Sequence, residues 1–204
     1  IMRMSGYFYL VVAVVLSIGF CGYAFALFDF RFMNCLFAFV MATMLLPGFI
    51  DTHVHSPQLD VIASHGTELL DWLNTYTFPA ERRYADPEVA AQGAARFLDA
   101  LLAHGTTAAV VFPTVHKVSA EALFQAAQQR GMRLIGGKVL MDRHAPDGLR
   151  DDVMQAERDC LDLIARWHGR HRLAYAVTVR FAPTSSDAQL AMAGALRQLT
   201  KVGL

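Results

Sequence analysis

The stretch L-P-G-F-I-D-T-H-V-H-S-P-Q, Leu46 to Gln58, decides how the rest of this chain is read. Pro47-Gly48 is a turn signal, and Phe49, Ile50, Thr52 and Val54 behind it are strand formers, so the segment reads as a short buried strand entered from a tight turn. Side chains alternate along a strand, which sends His53 and His55 to one face with Asp51 beneath them. Two imidazoles about 7 Å apart along a rigid strand end can converge on one ion, and neutral imidazole suits zinc and similar divalent metals. An H-x-H alone is a weak metal signal and often marks two unrelated histidines. The Pro-Gly turn, the apolar strand and the aspartate two residues upstream strengthen it here.

P-G-F-I-D-T-H-V-H resembles the first barrel strand of the amidohydrolase superfamily, and the continuation S-P-Q is similar to guanine deaminases within it. The resemblance implies that His53 and His55 are metal ligands for one zinc ion and that Gln58 contacts a purine. Three further strings carry the same likeness: W-L-N-T-Y-T-F-P-A-E from Trp72 to Glu81, G-K-V-L-M-D-R from Gly137 to Arg143, and V-R-F-A-P-T-S from Val179 to Ser185. Guanine deaminases usually carry Pro where this chain has Val179. By resemblance, Arg180 and Phe181 join Gln58 as substrate-binding residues, and the partner is a small purine, guanine.

Net formal charge is zero over 204 residues, with 18 basic and 18 acidic side chains scattered along the chain. No electrostatic footprint for nucleic acid is present. The cysteines, Cys21, Cys35 and Cys160, are unclustered and form neither a disulfide framework nor a metal clip.

Residues 1–46 read as a hydrophobic N-terminal segment unlike the rest of the chain. Tyr7 to Phe28 is 22 residues without a charge, enough to span a membrane as a helix, while Ala24-Phe25-Ala26 supports a signal peptide as the competing reading. Membrane contact through residues 7–28 is therefore expected. Phe32 to Leu46 is a second apolar run, short for a span. The segment departs from guanine deaminases, whose N-terminal region supplies strands of a small β-sandwich and whose setting is the cytoplasm, commonly as homodimers.

From 47 to 204 strands alternate with helices. Glu68 to Thr75 reads as a short helix stopped before Pro79. Asp86 caps a helix with Pro87 at its first position and Gly105 past its end. Thr106 to Phe112 is a continuous apolar strand, followed by a helix from Ser119 to Gly131, a strand from Arg133 to Met141, a helix from Asp151 to Trp167, a strand from Leu173 to Val179, and a helix from Asp187 to Leu199. His116 reads as a loop histidine and Lys138 as structural. The fold class is α/β, the first half of a TIM-like β/α barrel with about four βα units, whose chemistry lies at the C-terminal strand ends.

The implied reaction is zinc-dependent hydrolysis of the 2-amino group of guanine, giving xanthine and ammonia. The acid/base glutamate and the remaining zinc ligands of the family come from later strands, so no acid/base side chain is expected within this chain and the fragment alone is expected to be inactive. Two alternatives stay open. One is an amidohydrolase acting on another heterocycle; the other is a membrane-anchored noncatalytic half-barrel.

Overall fold

The computed structural model describes residues 48–66 and 68–201, which fall in one compact unit. The expected hydrophobic segment 1–46, with its span at 7–28, lies outside the described residues. Among the described residues no helix is long and apolar enough to cross a membrane.

The first strand, β1 (Phe49–His55), is zipped in parallel to β2 (Thr106–Phe112), from Phe49 opposite Thr106 to His55 opposite Phe112. Its register slips between Asp51 and Val54, and there the Asp51 carboxylate accepts the His53 backbone N–H at 3.0 Å. Such a slip bends the strand and re-aims the side chains beyond it. The expectation of a buried strand is wrong for its first half. Phe49 is 71% and Ile50 70% exposed, because β1 is the edge strand of the described sheet.

The sheet continues in parallel through β3 (Arg133–Gly136) to β5 (Leu173–Tyr175), in the order β1-β2-β3-β5, while the short strands β4 (Val139–Leu140) and β6 (Thr178–Val179) pair beyond them. The apolar runs predict single strands over 133–141 and 173–179. Both are interrupted at the same level, where a Cβ on Gly137 would lie 2.0 Å from the Ala176 carbonyl oxygen. This close backbone approach requires glycine and separates β3 from β4.

The covering helices follow local signals closely. Short α1 (Leu69–Trp72) and α2 (Phe78–Arg82) are joined by a π-helical turn over Leu73–Thr77. No stop before Pro79 is seen: the chain runs through the π-helical turn into α2, and Pro79 stands in the first turn of that helix, where its missing N–H costs little. In α3 (Pro87–Ala103), the Asp86 side chain accepts the N–H groups of Glu88 and Val89 at 2.7 and 3.2 Å, and Gly105 takes φ 81° just past the end. Helices α4 (Lys117–Gln129), α5 (Val153–Trp167) and α6 (Asp187–Thr200) complete four βα units, with Asp152 and Ser186 capping the last two. Helix α4 begins two residues before the expected Ser119.

The core lies between the sheet and α3 to α6. Leu98, Val111, Leu123, Phe124, Leu134, Leu163 and Leu173 fill it. Lys138 is buried beside it and donates to the Asp151 carboxylate, whose other oxygen accepts the Met141 N–H at 3.2 Å. Burial pushes the Asp151 carboxyl up, and the Lys138 ammonium opposes that rise. Lys138→Met leaves Asp151 without its partner and should lower unfolding free energy by about 3 to 5 kcal/mol. Urea unfolding checks this, and a variant as stable as the parent contradicts it.

Candidate functional site

Two stretches distant in sequence, 53–58 and 180–181, meet at the C-terminal ends of the strands. β1 delivers His53 and His55 as its last alternating pair. The short 3₁₀ segment directly after it, Ser56–Val61, opens with Pro57 and carries Gln58. Arg180 and Phe181 follow β6 directly, and the Arg180 backbone N–H donates to the Leu140 carbonyl at 3.1 Å. All five side chains line one cavity of about 760 Å³, together with Leu59, Trp72, Leu73 and residues of α3. This volume falls within the range of small-molecule sites.

The two histidine rings lie 5.2 Å apart, centre to centre, and are inclined by 66°. Two imidazoles bound to one tetrahedral zinc by bonds of about 2.0 to 2.1 Å have ring centres roughly 5 Å apart, so the spacing fits a shared ion. The Nδ1 of His55 is buried with no hydrogen-bond partner among the described residues, a cost that a ligand relieves. Among those residues no third metal-ligating side chain joins the pair.

Burial, followed by the charges of Arg180 and His53, lowers the His55 pKa from 6.5 to about 4. Its imidazole is therefore neutral at physiological pH, the form that ligates metals. The His55 ring resonances of the metal-free chain should titrate near pH 4 by NMR. A midpoint at or above the ordinary histidine value contradicts this environment.

Phe112 packs against both rings, at 4.7 Å from His53 and 4.9 Å from His55. It is the last residue of β2 and the direct partner of His55 in the register. The apolar run locates the strand but does not assign this contact.

Arg180 is almost completely enclosed. Its Nη1 donates to both carboxylate oxygens of Glu81, at 2.8 and 2.7 Å, and its guanidinium carbon lies 5.3 Å from the centre of the Phe78 ring. Glu81 is fully buried. Burial raises its carboxyl pKa, opposed by the charge and hydrogen bond of Arg180. Both Phe78 and Glu81 sit on α2, within the Trp72-to-Glu81 string, so that segment borders the site and grips it as well.

A second clamp holds the backbone after Arg180. The Asp142 carboxylate accepts the Ser186 backbone N–H at 2.7 Å and the Ser186 hydroxyl, and the Asp142 and Arg143 N–H groups both donate to the Thr184 carbonyl, at 3.0 and 3.2 Å. The Arg143 side chain donates to the Pro183 and Ala182 carbonyls. The Gly137-to-Arg143 and Val179-to-Ser185 strings thus interlock.

A family model for the amidohydrolase family matches residues 44–201. The chain belongs to the amidohydrolase family. It is 52% identical over 155 residues to guanine deaminase of Escherichia coli K12, covering 76% of this chain and 35% of that protein. The solved guanine deaminase of Bradyrhizobium japonicum superposes with a TM-score of 0.75 at 41% identity, over 77% of this chain and 34% of the other. That of C. acetobutylicum, solved with guanine in its active site, gives 0.74 at 30% identity, over 77% and 38%. The chain spans about a third of the length of the curated relatives it matches. Behind the five expected site residues lie Glu81, Phe78 and Phe112, which touch Arg180 or the two histidines without lining the cavity.

Proposed function

We propose that this amidohydrolase chain works in the zinc-dependent hydrolytic deamination of guanine to xanthine and ammonia, as part of a longer enzyme. The observation that carries the reading is the convergence of His53, His55, Gln58, Arg180 and Phe181, from two distant strand ends, on one cavity. Similarity to guanine deaminases over the same residues supports it.

His53 and His55 would hold zinc together with ligands from the rest of the longer enzyme, and the ion would supply hydroxide at neutral pH by lowering the pKa of a bound water. Gln58 offers the purine edge both a donor and an acceptor. Arg180 offers donors in a fixed plane, suited to a ring oxygen or nitrogen. Phe181, 41% exposed in this chain, offers the ring an apolar wall. These groups orient the ring against the histidine pair, and no side chain of this chain is assigned the proton transfer. A cytoplasmic setting and a homodimer of the longer enzyme are part of this proposal, and membrane contact through residues 7–28 is its alternative.

The test uses a hybrid enzyme in which residues 48–201 of this chain replace the matched segment of E. coli guanine deaminase. Gln58→Ala in that hybrid removes one hydrogen-bonding edge, worth about 1 to 3 kcal/mol, and should lower kcat/KM for guanine roughly 5- to 150-fold. Zinc content should not change. Unaltered guanine kinetics in the variant favour a different heterocyclic substrate.

A further inference from the structure

We infer that Glu81 is a positioning residue for Arg180, fixing which edge of the guanidinium faces the cavity and thereby setting discrimination for a purine that carries a ring oxo group. The inference rests on the guanine reading and adds a residue to it.

Arginine has five N–H donors in a rigid plane. In this chain both oxygens of Glu81 converge on Nη1 alone, at 2.8 and 2.7 Å. No hydrogen bond to Nε or Nη2 is formed by any described residue, and Arg180 lines the cavity beside His55 and Gln58. The guanidinium carbon sits over the Phe78 ring, 5.3 Å from its centre. The side chain therefore has its Nη1 donors consumed and the Nε and Nη2 donors left to donate. A ring carbonyl oxygen is the acceptor that such a planar edge suits, since it takes two donors at once.

Placement explains why a glutamate is needed at this depth. With the Arg180 side chain only 5% exposed and Glu81 fully buried, the ion pair itself is shielded from water, so the carboxylate holds the guanidinium in a single orientation. A neutral isostere keeps the shape but brings an amide N–H against Nη1–H. An aspartate keeps the charge but draws the guanidinium back by a methylene. Both let the free edge move away from the substrate without touching His53 or His55.

The hybrid enzyme carrying Glu81→Gln, Glu81→Asp, Arg180→Ala, and Glu81→Gln with Arg180→Ala is assayed on guanine and on 2-aminopurine, which lacks the ring oxo group. Each single variant should lower the guanine to 2-aminopurine ratio of kcat/KM on the order of tenfold, the effect of about one lost hydrogen bond. The double variant should show no lower ratio than Arg180→Ala, and zinc per subunit should stay constant. If Glu81→Gln and Glu81→Asp slow both substrates equally while Arg180→Ala changes the ratio, this inference is overturned and the guanine reading stands. If the parent hybrid folds, binds zinc and does not act on guanine, the guanine reading fails. The positioning itself is then decided on the whole 204-residue chain by arginine side-chain ¹⁵N NMR. Separate, slowly exchanging Nη signals of Arg180 that collapse in Glu81→Gln support it, and an unchanged pattern overturns it.

Discussion

Arg180→Ala in the hybrid enzyme is expected to lower kcat/KM for guanine on the order of a hundredfold or more, with zinc content unchanged. Two losses combine. The substrate loses the only planar donor fork among the five candidate side chains, and Glu81 loses the one side chain among the described residues that pairs with it. Removing one partner of a buried ion pair typically costs about 3 to 5 kcal/mol, so the variant should also unfold at lower denaturant. Arg180→Lys should fall between the two, because an ammonium keeps the charge but cannot face Glu81 and a substrate edge with one rigid plane. Steady-state kinetics and zinc measurements on the same preparations check this. Wild-type turnover in Arg180→Ala would remove Arg180 from the substrate site.

The second large effect concerns the chain as it stands. The 204-residue chain alone is expected to release no ammonia from guanine above the no-enzyme control and to retain well under one zinc after dialysis. His53 and His55 converge, yet among the described residues no third ligand joins them, and a catalytic zinc site rests on about three protein ligands. The described sheet also leaves β1 as an edge with Phe49 and Ile50 exposed, a surface that invites pairing between copies. Such pairing supplies a second histidine pair where different ligands are needed, so it restores neither zinc nor turnover. Stoichiometric zinc together with turnover would show that other residues complete the site.

Elements whose signals are local were legible in the sequence. The Asp86 cap, Pro87 and Gly105 bracket α3 because each acts within a few residues of itself, and the uninterrupted apolar run marks β2 to the residue. The histidine pair was legible for the same reason, since strand alternation carries it. Contacts made across the fold were not. Glu81 and Arg180 are 99 residues apart, and no periodicity connects them. Membership of the Trp72-to-Glu81 string points to the segment but not to the side chain. The break between β3 and β4 depends on the Ala176 carbonyl approaching Gly137, and the passage through Pro79 depends on a π-helical turn, neither of which composition reports. Phe112 reads only as the end of an apolar strand, because its contact with the two rings exists only once β1 lies beside β2.

The most direct test of the central claim, that this chain supplies the histidine pair and the purine-facing side chains of a guanine deaminase, is the guanine kcat/KM of the unmodified hybrid, measured beside its zinc content. Stoichiometric zinc and guanine turnover within about tenfold of the E. coli enzyme are expected, both abolished by replacing His53 and His55 with alanine. A hybrid that folds and fills with zinc but leaves guanine untouched, or one that keeps its zinc and activity without the two histidines, would contradict it.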